Sequence, residues 1–160
     1  MSGAVAPEAM QSLVPHKGAM CLWDEVLAWD ADSIRLATMR HRDVDHPLRS
    51  HGCLRAIHLC EYGAQAMAVH GGLRSGGQAA PGMLVSLRAV EFSVDRIDDL
   101  AGAIECHAQL LVDGDSGWQY QFRICHGSDV LAEGRAAVML QPAHEATPTM
   151  GSVSQPEGTP

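Results

Sequence analysis

The sequence is short of aromatic residues, of basic residues and of long apolar runs. Phe, Trp and Tyr make up 4% of its 160 residues, so any core must be built from Ala, Val, Leu, Ile and Met. Lys and Arg number 11 against 19 Asp and Glu, a net charge of −8, which leaves no polyelectrolyte footprint for nucleic acid. No apolar run approaches the roughly 18–20 residues that a membrane-spanning helix needs. The opening residues, MSGAVAPEAMQSLVPH, carry neither the basic segment nor the apolar segment of a signal peptide. The five cysteines (Cys21, Cys53, Cys60, Cys106, Cys125) are odd in number and scattered, with no CxxC pair. That usage fits a reduced, cytoplasmic chain better than a disulfide scaffold or a zinc knuckle.

What is present points to a single globular domain. Hydrophobic residues make up 46% and charged residues 19%, enough apolar material for a core in a chain of this length. Residues 141–160 are rich in Pro, Thr, Ser and Gly and lack periodicity, the composition of a disordered tail. Residues 1–10 read as an N-terminal arm, which leaves 11–140 for the domain.

Period-two alternation predicts the strands. In 103–113, Ile104, Cys106, Ala108, Leu110 and Val112 share one face against Glu105, His107 and Gln109. In 118–125, Trp118, Tyr120, Phe122 and Ile124 oppose Gln119, Gln121 and Arg123. In 129–140, Val130, Ala132, Ala136, Val138 and Leu140 oppose Glu133 and Arg135. Short Gly/Asp/Ser clusters at 113–117 and 126–129 join the three as an antiparallel meander. Segments 83–94 and 33–39 are further strands. Residues 54–70 instead follow a helical period, with Ile57, Cys60, Ala64, Met67 and Ala68 on one stripe and Leu59, Gly63 and Ala66 opposite. A helix apolar nearly all round is a buried one, and Gly71-Gly72 is the expected stop. One long buried helix wrapped by a single antiparallel sheet is the α+β hot-dog fold. Its sheet leaves edges that such proteins commonly cover by pairing into dimers.

Glu61 interrupts the apolar stripe. At about 100° per residue it lies about 40° from Ile57 and about 20° from Ala68, inside the stripe, with Gln65 one turn on. A carboxylate there costs several kcal/mol unless it is paired, hydrogen-bonded or protonated. It is therefore either a structural Glu satisfied by a backbone N–H or an Arg, or a general acid or base. The preceding loop, 42–52, is polar, contains Pro47 and holds His46 and His51; an imidazole facing a buried carboxylate makes an acid/base pair near neutrality. A third imidazole, His16, follows Pro15 upstream, and it reads equally as structural. His41, His46 and His51 recur every five residues, a spacing that suits neither a helix face nor a tight zinc-ligand pair, so no metal site is expected.

Five short segments complete the reading. They are Val14-Pro15-His16, Leu22-Trp23-Asp24-Glu25-Val26, Glu61-Tyr62-Gly63-Ala64-Gln65, Arg96-Ile97-Asp98-Asp99-Leu100 and Ala132-Glu133-Gly134. Together, from about residue 13 to 140, they resemble the 3-hydroxyacyl-(acyl-carrier-protein) dehydratases. They resemble more closely the dehydratase-like hot-dog proteins of aryl polyene and polyketide-type gene clusters. The family's Gly-His-Phe-Pro loop is here Asp45-His46-Pro47-Leu48, one residue out of register relative to Glu61, and its Pro-Gly helix opening is replaced by Arg55-Ala56.

The resemblance implies loss of water from a (3R)-3-hydroxyacyl thioester to give a trans-2-enoyl thioester in cytoplasmic fatty-acid or polyketide biosynthesis. Either His46 or His16 would be the base, Glu61 would bind or protonate the hydroxyl, and Gln65 would orient Glu61 or a water. Backbone N–H groups around Ala56 and Ile57 would hold the thioester oxygen, with Pro15 beside the substrate. The substrate would ride on the phosphopantetheine of an acyl carrier protein, with no metal or organic cofactor. The working unit would be a homodimer, or a hetero-oligomer with a hot-dog paralogue. Arg40, Arg42, Arg49 and Arg55 are either a basic mouth for an acidic carrier or ordinary surface residues. Two other functions fit the same fold: an acyl thioesterase, and a non-catalytic hot-dog subunit supporting a catalytic paralogue.

Overall fold

The alternating segments fold as strands within one or two residues of the places their pattern assigns. In the computed structural model, residues 7–10, 12–14, 18–77 and 82–140 are described; the expected tail at 141–160 lies outside them. A short helix, α1 (Pro7–Met10), and a 3-10 turn (Gly18–Met20) precede a hairpin of β1 (Glu25–Trp29) and β2 (Ser33–Thr38). The Asp30 carboxylate shapes its turn, accepting the N–H groups of Asp32 (2.9 Å) and Ser33 (2.8 Å). After the loop, a 3-10 turn (Ala56–His58) leads into α2 (Leu59–Arg74). Then follow β3 (Gly82–Phe92), β4 (Ile104–Gly114), β5 (Gly117–His126) and β6 (Asp129–Leu140). The six strands form one sheet in the order β1-β2-β4-β5-β6-β3, every pair antiparallel. The helix α2 lies against β2, β4 and β5. This is the hot-dog fold.

The core sits between α2 and the concave sheet face, where Ile34, Leu36, Ile104, Cys106, Ala108, Tyr120, Phe122 and Ile124 are buried. Met10 and Leu13 are also buried in it, so packing begins inside the stretch expected as an arm. The strict alternation fails at two ends. A β-bulge between Leu110 and Val112 turns Val112 out of the core face, leaving it 47% exposed. A second irregularity, opposite Cys125, leaves Val130 exposed while its neighbours Leu131 and Ala132 are both buried.

The helix differs from expectation in its end and in its faces. It runs through Gly71-Gly72 to Arg74 and stops where Gly76 (φ +80°) and Gly77 (φ +91°) take left-handed backbone, with the Gly77 N–H closing on Gly72 O at 2.9 Å. Gly71 is there for close packing. A Cβ on it would meet Trp118 Cζ3 at 2.3 Å, so the indole lies directly on the helix backbone. The face turned to the sheet carries Leu59, Tyr62, Gly63, Ala66, Val69 and His70. Of the stripe expected to face the core, only Met67 is fully buried; Cys60, Ala64 and Ala68 are half-buried and Ile57 is exposed. Because α2 is apolar nearly all round, hydrophobicity alone did not say which face meets the sheet.

Candidate active site

Glu61 therefore lies on the half-buried side of α2, beside an open cavity of about 150 Å³. The helix supplies Glu61, Ala64, Gln65, Met67 and Ala68 to its wall; Leu84, Trp118 and Val138 come from β3, β5 and β6. The lining is apolar apart from Glu61 and Gln65, the pattern of a small-molecule site with few polar groups.

Gln65 is 2% exposed and holds Glu61 in place. Its Oε1 accepts the Leu22 N–H at 2.9 Å, and its Nε2 donates to Met20 O at 2.7 Å and to Glu61 Oε1 at 3.0 Å. A backbone donor at one end of the amide and a backbone carbonyl at the other permit one orientation only. Gln65 thus presents an N–H to Glu61, and Oε1 of Glu61 is an acceptor. The same contacts bind residues 20–22 to the helix, and Arg40 fastens that segment from the other side through Cys21 O (2.6 Å) and Ala19 O (3.4 Å). Pro15 and His16 lie outside the described residues.

His46 stands elsewhere. It is 5% exposed, its Nε2 lies 2.9 Å from Tyr62 Oη, and its Nδ1 accepts the Leu48 N–H at 3.1 Å. An imidazole accepting at Nδ1 carries its proton on Nε2 when neutral, so Nε2 donates to Tyr62. Burial, with Arg40 nearby, pushes its pKa below the usual histidine range. Neither ring nitrogen offers a lone pair to a substrate in this arrangement. His46 instead anchors its loop to Tyr62, whose ring packs edge-on against Trp23 with centroids 5.3 Å apart and whose carbonyl accepts the Trp23 indole N–H at 2.9 Å.

The helix opening also differs from expectation. The Ala56 N–H donates to Asp95 O (2.9 Å) and the His58 N–H to Arg55 O (3.1 Å), so Ala56 does not present a donor to a thioester. Ile57, on the same turn, is 60% exposed. The turn is held by Asp98, whose side chain is 2% exposed. Asp98 accepts the Leu54 N–H at 2.8 Å, pairs with Arg49 at 3.2 Å and binds Arg96. The Arg96 guanidinium, with the Leu54 N–H, holds this carboxyl well below the usual carboxylate range. The sequence placed Asp98 in a turn motif but gave no sign, beside Asp99, of which carboxylate is buried. Of the four arginines expected at the mouth, Arg40 and Arg49 bind backbone carbonyls, while Arg42 and Arg55 are exposed.

Comparison with known proteins places the chain first in a fold class and then in a family. The hot-dog fold is shared with solved structures of low sequence identity. The dehydratase heterocomplex ApeI:P from Xenorhabdus doucetiae matches at 23% identity and a TM-score of 0.74, over 84% of this chain and 91% of that one. An HP0420 homologue from Helicobacter felis matches at 10% identity and 0.61, over 91% and 96%. The E. coli PaaI protein from the phenylacetic acid degradation operon matches at 17% and 0.53, over 71% and 80%. At these identities the likeness is one of fold. No curated protein sequence matches. The family model for ApeP-like dehydratases (ApeP dehydratase) matches residues 8–150. The chain belongs to that family.

Proposed function

We propose that this chain dehydrates (3R)-3-hydroxyacyl thioesters of an acyl carrier protein to trans-2-enoyl thioesters. The observation that carries the reading is the Glu61–Gln65 pair, a carboxylate held by a buried amide at the wall of an otherwise apolar cavity.

The chemistry needs a base for the Cα proton and an acid for the departing hydroxyl. With Gln65 holding its Oε1, Glu61 is the group that hands a proton to the departing hydroxyl. The base is His16. It lies four residues before Met20, whose carbonyl Gln65 holds, and its Pro-His setting matches the family motif. As the imidazole takes the Cα proton, that C–H pair forms the C2–C3 double bond through an enolate. The C3–O bond breaks, and the Glu61 proton leaves with the hydroxyl as water. The Ile57 N–H stabilises the enolate oxygen. The imidazolium then returns its proton to Glu61. These steps involve no metal or organic cofactor; the substrate arrives on phosphopantetheine, and the exposed Arg42 and Arg55 face its acidic carrier.

The partner is a second hot-dog subunit seated on β3. That edge strand leaves one side of its backbone unpaired and exposes Met83 (53%), Val85 (49%) and Leu87 (39%). The five unpaired cysteines favour the cytoplasm. A non-catalytic role beside an active paralogue is favoured by one observation, the engagement of both His46 nitrogens. Incubation with 3-hydroxyacyl thioesters, alone and with a paralogue, tests the proposal. Enoyl absorbance without thiol release is expected from the chain alone. Thiol release without interconversion identifies a thioesterase, and turnover only in the mixture identifies a supporting subunit.

A further inference from the structure

We infer that Trp118 is the end wall of the acyl cavity and sets the longest chain it accepts; the inference rests on reading that cavity as the acyl site. The lining on α2 begins at Glu61 and ends at Ala68, a distance of about 10 Å along a helix rising about 1.5 Å per residue. One turn further on, the Trp118 indole lies across the helix at Gly71, where a Cβ would come within 2.3 Å of Cζ3 and 2.8 Å of Cη2. Only a glycine lets the ring close the cavity there.

The ring is also held from its other sides. The Arg74 guanidinium sits over it, 5.7 Å from the centroid. Arg74 is fixed in turn by Asp113, the residue opposite Trp118 in the β4–β5 register. Val138, opposite Trp118 in the β5–β6 register, lines the same cavity. A wall braced by an aromatic–cation contact, an ion pair and a glycine seat is a fixed stop. The space it closes, about 150 Å³, is the size of an apolar cavity that holds benzene. The occupant is a short acyl group no bulkier than one ring.

The test measures binding separately from turnover. S-alkyl pantetheine thioethers of increasing length are titrated calorimetrically into the full chain in its native assembly, as wild type, Trp118→Ala and Trp118→Phe. Turnover of the matching 3-hydroxyacyl thioesters is measured in parallel. In wild type, affinity should rise with length and then break. The break should move to longer chains in the order wild type, Phe, Ala, and chains just past the wild-type limit should bind about tenfold or more tighter to the Ala variant, since one methylene in a fitted pocket is worth about 10–200-fold. If the Ala variant does not fold, the Phe variant decides alone. A break that stays at the wild-type length overturns the inference even if dehydration is observed. A break that moves while no thioester is dehydrated leaves the wall standing and removes the dehydratase reading.

Discussion

Gln65 makes three hydrogen bonds through the two ends of one amide, and its side chain links the Glu61 carboxylate to residues 20–22. Replacing it by Leu, close in shape, removes all three bonds and leaves a buried N–H and carbonyl without partners. The expected loss of stability is about 1–3 kcal/mol for each orphaned group, read from urea midpoints. As a positioning residue, Gln65 should also affect kcat more than KM, which a purely structural role would not do. His46 gives the opposite pattern. His46→Ala abandons the Tyr62 hydroxyl and the Leu48 N–H, so the urea midpoint should fall while the remaining folded protein keeps its kcat within a few-fold. A loss of kcat on the scale of a missing general base, about 10²–10⁴-fold, with stability unchanged, would return His46 to the chemistry.

At the scale of the element, α2 is positioned by what it lacks. A Cβ at Gly63 would meet the Phe122 ring at 2.9 Å, and one at Gly71 would meet Trp118 at 2.3 Å. Both glycines lie inside the helix, where Ala is ordinarily favoured by about 1 kcal/mol. Gly63→Ala should nevertheless destabilise by about 1–3 kcal/mol, because the fully buried Phe122 ring must shift. A thermal midpoint equal to or above wild type would mean the contact is soft. Much of this element was legible: its period, and the carboxylate within its apolar stripe. The facing was not, since small and apolar residues surround the axis and packing against Tyr120, Phe122 and Trp118 decides it. The Gly71-Gly72 stop was misread for the same reason, since a glycine needed to seat an indole from another strand looks like a terminator in one dimension. The strands β4, β5 and β6 were legible because one face is buried and the other solvated; the bulges at their ends come from register and carry no local signal. The candidate site was legible where it is local, at Glu61 and Gln65 on one turn. It was hidden where it is long-range, as in the Gln65 bonds to Met20 and Leu22 or the Asp98 clamp on the helix opening.

Among the described residues three histidines are buried, His41 (0% exposed), His46 (5%) and His70 (0%). Burial is the main cause that lowers the pKa of each below the ordinary value near 6.5. In the window between the folded and unfolded values the unfolded chain binds more protons, so stability falls as pH drops. Their contribution is full above about 6.5 and is lost progressively below it. Asp98 acts in a separate window. Its lowered pKa stabilises fully above about 3.9 and is lost only in stronger acid. Urea midpoints should therefore decline between about pH 7 and pH 5, and a flat profile there would contradict the burial of these rings. Assembly is also decided at this scale. A charge at the exposed β3 edge, Val85→Lys, should shift sedimentation from dimer or hetero-oligomer towards monomer, whereas an unchanged profile would place the interface elsewhere.

The proposal assigns dehydration to Glu61 and His16, with His46 holding the loop. Its most direct test is the initial rate of enoyl thioester formation by wild type, Glu61→Gln, His16→Ala and His46→Ala at equal folded concentration. A loss of about 10²-fold or more is expected for Glu61→Gln and for His16→Ala, with His46→Ala remaining within a few-fold of wild type. Unchanged rates in Glu61→Gln and His16→Ala, or a loss confined to His46→Ala, would contradict it.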